Sequence, residues 1–344
     1  MQNLRSEKEI MQAWNPADKP LVSVICITFN HEHYIEKTIQ GFLIQETDFP
    51  FEIIIHDDAS TDKTSEIVRE YATNKYPKII RPIFQNENQY SQGKKPRSIV
   101  EPQCKGKYIA VCEGDDFWTD KKKLQIQVDF LEANQDYVIS GHDAFIIDED
   151  GNHIKDSKLP NRYKRDYSSE ELIMDEAWIL TLSWVYRNLI NNYAPERNMV
   201  KNGDNFFISI IGHYGKSKYH PEIKPACYRV HSGGVWSKLS DKDKRDSKIN
   251  TWFWMYRYYT RIGEEKYAMH FWFKYLANVV TRAPSSVLLK ELLIRWLPLK
   301  KLYSFTKRIL AKINLKKLDL LIFWCMLVIN LIAVRSSVIR LVDY

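Results

Sequence analysis

Four groups of residues have the types and spacing that chemistry requires. Asp57-Asp58 follows the apolar run Phe51 to His56, and Glu113-Gly114-Asp115-Asp116 closes another, Tyr108 to Cys112. Asp204 stands within Lys201-Asn202-Gly203-Asp204-Asn205, and Arg229, His231 and Trp236 share the segment Tyr228 to Ser237. Carboxylates crowded at one point repel one another unless a cation sits among them. Hard oxygen ligands suit Mg²⁺ or Mn²⁺ shared with a substrate diphosphate. One acid of Asp57-Asp58 can accept a hydrogen bond from a nucleotide base, and Asp204 can act as general base on an acceptor hydroxyl. Arg229 and His231 can face a diphosphate or its metal.

Every group also has a plain structural reading. Asp followed by Ser-Thr is an ordinary turn and helix cap. The four residues from Glu113 can form a solvated acidic turn. Asp204, at the start of a helical pattern, is stabilised there by capping and by the helix dipole. A lone His in a loop and a Gly pair are common without any ligand.

The elements that must position these residues alternate between strand and helix patterns. Leu21 to Thr28 is apolar and β-branched on both faces, the pattern of a strand covered on both sides of a parallel sheet. A helix over Tyr34 to Gln45, a strand over Phe51 to His56, a helix to about Asn74, and strands at Ile79 to Gln85 and Tyr108 to Cys112 follow. Leu124 to Asn134 reads as a helix and Tyr137 to Ile147 as one or two strands. Asn152 to Ser169, polar and broken by Pro160, reads as a loop or mobile lid. Ala177 to Arg187 returns to the sheet, Asp204 to Tyr214 is a helix, and Pro225 to Val230 is a last short strand. Strands alternating with helices predict an α/β fold with a Rossmann-like, mostly parallel sheet flanked by helices. In such sheets ligands collect beyond the carboxyl ends of the strands, where the acidic groups fall.

Composition narrows the function classes. The 344 residues carry a net charge of +7, but from Lys290 to Tyr344 eleven Lys and Arg face three acids, so the first 289 residues are close to neutral. That balance excludes a nucleic-acid-binding body. Five cysteines without a C-x-x-C pair predict reduced thiols in a reducing compartment. Met1 to Lys19 lacks the apolar stretch of a secretory signal, which places the catalytic part in the cytoplasm. Aromatic-rich helices, with Trp252, Trp254, Tyr259, Phe271 and Trp272 read as packing residues, follow Ser240. The expected organisation is a polar lead over 1–20, a catalytic domain over 21–240, an aromatic helical segment over 241–285 and a basic, apolar helical tail over 286–344.

The motifs resemble the inverting glycosyltransferases of family 2, which share the GT-A fold. VSVICITFN (Val22 to Asn30), EIIIHDDASTDKT (Glu52 to Thr64), KGKYIAVCEGDDFWTD (Lys105 to Asp120), NGDNFFI (Asn202 to Ile208) and YRVHSGGVWS (Tyr228 to Ser237) occur in the family's order. The resemblance implies that Phe29 and Asn30 line a nucleotide pocket, that Asp58 and Asp57 contact the base, and that Asp115 lies near ribose and metal. It implies a metal on Asp115, Asp116 and His231, Arg229 by the diphosphate, Trp236 near the sugar or acceptor, and Asp204 as catalytic base. Glu113 stands where an aspartate is common, so the choice of two ligands among Glu113, Asp115 and Asp116 stays open. The implied partners are a nucleotide-sugar donor, with UDP favoured, and a glycan or lipid-linked acceptor. The implied product is a bacterial surface polysaccharide such as capsule or lipopolysaccharide.

Two other readings compete. A sugar nucleotidyltransferase needs a Gly-rich phosphate loop after the first strand, where Thr28-Phe29-Asn30-His31 stands instead. A non-catalytic glycan-binding or scaffold subunit has no need of the acids, yet all are present. No G-x-x-x-x-G-K-[ST] or G-x-G-x-x-G occurs, which removes the phosphate cradles of kinases and dehydrogenases. In the tail, Leu320 to Val334 is uncharged but only about 22 Å long as a helix, short of the ~30 Å hydrocarbon core. With the lysines upstream it predicts a basic amphipathic attachment to an anionic membrane surface on the cytoplasmic face.

Overall fold

The computed structural model describes residues 4–189, 194–234 and 236–280. Burial of the β-branched runs sets the architecture. Val22–Thr28 (β1) and Phe51–Asp57 (β2) are buried almost throughout, so both lie inside a sheet with partners on either edge. Ile80–Phe84 (β3) and Tyr108–Val111 (β4) complete a parallel block in which β2 pairs with β1 and β3, and β4 pairs with β1. Tyr137–Gly141 (β5), Val185–Arg187 (β8) and Lys216–Tyr219 (β9) extend it to a seven-stranded sheet of order β3-β2-β1-β4-β8-β5-β9. β8 runs antiparallel to both neighbours, while β5 and β9 are parallel. A second sheet of three strands joins Ala144–Ile147 (β6), His153–Lys155 (β7) and Ala226–Arg229 (β10) in the order β10-β6-β7. The mostly parallel sheet flanked by helices is the architecture expected from the sequence.

Helices cover both faces. Glu7–Met11 (α1), Ile35–Leu43 (α2), Thr64–Glu70 (α3), Pro96–Val100 (α4) and Lys123–Ala133 (α5) surround the parallel block. Ser169–Ile173 (α6) and Gly203–Ile211 (α7) lie toward β5 and β8, with Asp241–Arg261 (α8) and Glu265–Val280 (α9) behind them. One core holds β1, β2, α2 and Trp118. The other takes alternate strand residues such as Ile25, Ile54 and Ile109 together with Trp184, Phe206, Phe207, Met255, Tyr259 and Phe271. The aromatic residues of α8 and α9 are therefore core on one face, and at about 1.5–3 kcal/mol per fully buried large side chain they tie the helices to α7.

Three features differ from the sequence reading. The polar lead contains α1, closed by a capping box between Ser6 and Glu9, with Ile10 and Trp14 buried against the first core. The stretch 152–169 is not a lid: β7 pairs with β6, and Leu159 and Tyr167, both buried, pin it down while Tyr167 bridges to Ser217. β9 is an additional strand, whose sequence KSKY carries none of the usual apolar alternation. The proposed membrane-attachment tail lies outside the described residues; among these, no helix is long and apolar enough to cross a membrane. The four described cysteines are free thiols, and burial pushes Cys104 and Cys227 up to about 12.

Candidate active site

The carboxyl ends of β1, β2 and β4 open onto one crevice. β1 ends at Thr28 beside Asp57, because the two strands run parallel in matched register. Loops leaving β1 and β2 are then laced together. Asn30 adopts a positive φ of 53°, donates its N–H to Ser60 Oγ at 2.9 Å and accepts the Thr61 N–H on Oδ1 at 2.8 Å. His31 N–H reaches Thr64 Oγ1 at 2.8 Å, and Glu32 N–H reaches Asp62 Oδ2 at 3.0 Å. Phe29 is left half-exposed on this rim.

Both acids after β2 have protein partners. The Asp57 carboxylate accepts from the Ser60 N–H at 3.0 Å and from the hydroxyls of Ser60 and Ser65. Asp58, only 2% exposed, accepts the backbone N–H groups of Gln89 at 2.8 Å and Tyr90 at 3.0 Å, so it fixes the loop that follows β3. Asp58 thus shapes the crevice wall whether or not a base also reaches it.

The acidic loop after β4 is pressed onto β1 and α2. Gly114 donates its N–H to Ile27 O at 2.9 Å, and Thr38 in α2 donates its hydroxyl to Asp116 O at 2.6 Å and Gly114 O at 3.0 Å. Any Cβ on Gly114 would lie 2.5 Å from Thr28 Oγ1, so only glycine allows this approach. The three acids therefore point different ways. Asp115 turns into the crevice, where its Oδ2 meets His231 Nε2 at 2.9 Å and faces His31 Nε2 at 3.9 Å. Asp116, 4% exposed, turns under the loop and accepts the Arg229 N–H at 2.8 Å. Burial, reinforced by the Asp115 and Glu113 charges, pushes its carboxyl well above the usual range.

His31, Asp115 and His231 form a cluster whose ligand atoms all lie within 4.8 Å of one another. Asp116, expected beside Asp115 as a metal ligand, is not part of this cluster; its Oδ1 is taken up by the Arg229 N–H. Burial pushes the Asp115 carboxyl up, but the His231 hydrogen bond and the charges of His31 and His231 outweigh it and hold the group ionised below the ordinary range. Burial holds His31 below its ordinary value against the pull of Asp115, which favours neutral imidazole, the metal-binding form.

Arg229, suggested by the motif for the diphosphate, engages the acidic loop and the turn after β6. Its Nε donates to Asp115 O at 3.1 Å, one terminal nitrogen donates to Asp148 O at 3.2 Å, and the guanidinium lies 4.4 Å over the Tyr34 ring. Arg229 braces the acidic loop, because its Nε and one terminal nitrogen donate to carbonyls of the two flanking turns. Trp236 is 40% exposed on the loop after β10.

Asp204 stands in the first turn of α7 with its side chain 52% exposed. Its Oδ2 accepts the Thr181 hydroxyl at 2.7 Å, and Oδ1 is 3.7 Å from an Arg97 terminal nitrogen. Glu113 links the two sides: burial first, then the Asp204 and Asp115 charges, push its carboxyl up to about 8. Sequence reasoning missed His31, Thr28, Thr38, Thr181 and Arg97. For His31 a signal existed, since it follows β1 at the same sheet edge as Asp115.

Comparison with known proteins agrees with this layout. The family model described as Glycosyl transferase family 2 matches residues 23–183. An uncharacterized protein of Mycobacterium tuberculosis is 36% identical over 230 residues, 65% of this chain and 63% of that protein. The chain thus spans just under two thirds of that relative's length. An uncharacterized glycosyltransferase of Methanocaldococcus jannaschii is 28% identical over 261 residues, covering 71% of this chain and 88% of its own. Among solved structures, Staphylococcus aureus TarS 1-349 in complex with UDP-GlcNAc superposes with a TM-score of 0.53 at 18% identity, over 83% of this chain and 78% of that one. At that identity the likeness establishes the shared fold, which is GT-A.

Proposed function

Since the chain belongs to glycosyl transferase family 2 through residues 23–183, we propose that it transfers a sugar from a nucleotide-diphosphate donor to a hydroxyl of an acceptor glycan, with inversion at the anomeric carbon. The observation that carries this reading is the meeting of Asp115 and His231 at 2.9 Å beyond the end of β4, with Asp204 near enough to Glu113 of the same loop for its charge to raise that carboxyl. The TarS structure holds UDP-GlcNAc, which supports a UDP-sugar donor here.

The donor set fits a divalent cation: the Asp115 carboxylate, held below its ordinary range, stands 2.9 Å from the His231 imidazole. Asp115 and His231 would hold it. When bound, Mg²⁺ or Mn²⁺ supplies Lewis-acid neutralisation of the charge on the leaving diphosphate. The chain's own residues do the rest. The Phe29–Asn30 rim and the Asp58-anchored loop enclose the nucleotide. Asp204, half-exposed and 3.7 Å from an Arg97 nitrogen, removes the proton from the acceptor hydroxyl as that oxygen attacks the face opposite the nucleotide. Thr181 holds one of its oxygens, so the other is aimed at the acceptor.

S. aureus TarS is named a poly(ribitol-phosphate) β-N-acetylglucosaminyltransferase, which supports a bacterial surface polymer as the acceptor class. A lipid-linked acceptor would give the basic tail a purpose, holding enzyme and acceptor at the cytoplasmic face of one membrane. The test is a panel of UDP- and GDP-sugars assayed for donor hydrolysis by the full chain with and without chelator. Turnover of one donor, lost in chelator and restored by a divalent ion, is expected. Failure of every nucleotide sugar to bind would overturn transfer in favour of a glycan-binding subunit.

A further inference from the structure

The reaction as described leaves one side chain of the crevice without a task. We propose that His31 is a third protein ligand to the cation, and that the site therefore takes up a first-row transition ion in preference to Mg²⁺ and without any nucleotide present. The proposal rests on the reading of Asp115 and His231 as cation ligands.

Three observations carry it. The first is spacing. His31 Nε2 faces Asp115 Oδ2 at 3.9 Å, too long for a hydrogen bond, while His231 Nε2 stands at 2.9 Å from the same oxygen. Ligand atoms about 2.1 Å from a shared ion at right angles lie about 3 Å apart; His231 is already at that distance from Asp115, a shift of about 1 Å brings His31 to it, and the three atoms lie within 4.8 Å of one another. The second is orientation. His31 Nδ1 lies 3.2 Å from Thr28 Oγ1, and a proton on Nδ1 donated to that hydroxyl leaves the Nε2 lone pair aimed at Asp115. A fixed partner on the far nitrogen is the arrangement that orients metal-binding histidines. The third is rigidity: the His31 N–H is tied to Thr64 Oγ1, and its carbonyl accepts from Tyr34 and Ile35 at the start of α2. The imidazole ring meets the His231 ring edge-on with centroids 5.8 Å apart, as two ligands of one ion would.

Two consequences follow from donor type. A pair of carboxylates shared with a diphosphate suits Mg²⁺, which prefers oxygen and keeps its water. Two imidazoles and one carboxylate suit first-row transition ions, with affinity rising from Mn²⁺ to Co²⁺. Three protein ligands also hold an ion that two ligands would release until a diphosphate completed the shell. The open positions remain for diphosphate oxygens and water.

The experiment titrates the full chain, free of nucleotide, with Mn²⁺ while the electron paramagnetic resonance signal of the free aqua ion is followed. Competition with Mg²⁺ and Co²⁺ gives the order of affinity. Expected is Mn²⁺ binding about 10-fold or more tighter than Mg²⁺, Co²⁺ tighter still, and a loss of about 10-fold or more in His31→Ala, since even removing a supporting contact of a ligand costs that much. If His31→Ala binds Mn²⁺ like the parent while Asp115→Asn does not, the third ligand is refuted and the two-ligand site stands. If Asp115→Asn and His231→Ala also bind unchanged, the cation reading of the proposed function falls with it. Electron spin-echo modulation on the unaltered protein counts coordinated imidazoles independently of any variant's folding: two supports the proposal, and one overturns it.

Discussion

Gly114 lies so close to Thr28 that any β-carbon on it would fall 2.5 Å from the threonine hydroxyl oxygen. Contacts that short do not occur between real side chains, and Thr28, buried at the end of β1, has nowhere to retreat. The loop carrying Glu113, Asp115 and Asp116 must move instead.

Gly114→Ala should therefore disturb the crevice more than the fold. We expect nucleotide and Mn²⁺ affinities to fall by about 10-fold or more, with a melting temperature lowered by several degrees, as overpacking costs about 1–3 kcal/mol. Gly203, with open space where a Cβ would go, is the control. Its alanine variant should melt at or slightly above the parent temperature, because Ala is favoured over Gly in a helix by about 1 kcal/mol. Calorimetry on both variants checks this. Equal effects at the two positions would mean that Thr28 yields to a methyl group.

Asp204→Asn should reduce transfer by about 10²- to 10⁴-fold, the usual loss of a positioned general base, with donor affinity within a few-fold of the parent. The amide keeps the oxygen that accepts from Thr181. Steady-state kinetics with the true acceptor and nucleotide binding by calorimetry separate the two effects. Near-normal turnover would reduce Asp204 to the first-turn acid of α7.

What the chain discloses locally and what it discloses only when folded divide along physical lines. β1 and β2 are legible because consecutive β-branched apolar residues, such as Val24-Ile25 and Ile53-Ile54-Ile55, cover both faces, and the acids at a strand end are legible because a strand end has a known direction. β9 is illegible: Lys216 and Lys218 sit on a sheet-edge strand, where no second partner demands an apolar pattern. α1 carried a readable signal in Ser6 and Glu9 that the surrounding charge masked. The approach of Asp115 to His31 and to His231 joins positions 84 and 116 apart, which no local spacing encodes. The different partners of Asp115 and Asp116, His231 for one and the Arg229 N–H for the other, likewise come from residues more than 100 positions away.

Asp115→Asn and Asp116→Asn should therefore differ sharply. Asp115 faces the cluster, so its amide variant should lose the cation and with it about 10²-fold or more of activity. Asp116 is pushed well above the usual carboxylate range by burial and by its acidic neighbours, and it only accepts the Arg229 N–H. An asparagine oxygen can take that role, so Asp116→Asn should keep cation affinity within a few-fold. Metal titration of the pair decides it. Equal loss of cation would restore Asp116 to the ligand set.

Lys123 gives a stability test that leaves the chemistry untouched. It is fully buried in α5, its Nζ donates to Gln127 Oε1 at 2.7 Å and lies 4.1 Å from the Trp118 ring centre, and among the described residues no carboxylate pairs with it. Burial lowers its amine to about 7 from 10.5, while His142 nearby is held down to about 3 by burial and by the Lys123 charge. The sign follows from proton uptake. Between pH 7 and 10.5 the unfolded chain binds more protons than the native one, so stability rises with pH across that window. Below pH 7 the lysine is charged in both states, and the native state carries the full desolvation cost. Lys123→Met keeps the length and removes the charge, at the expense of about 1 kcal/mol for the hydrogen bond to Gln127. The variant should melt several degrees above the parent at pH 6, and its advantage should shrink at pH 9.5 and vanish toward 10.5. Melting curves at these pH values read it directly, and a gap that stays constant or widens with pH would show that Lys123 is not held neutral by its surroundings.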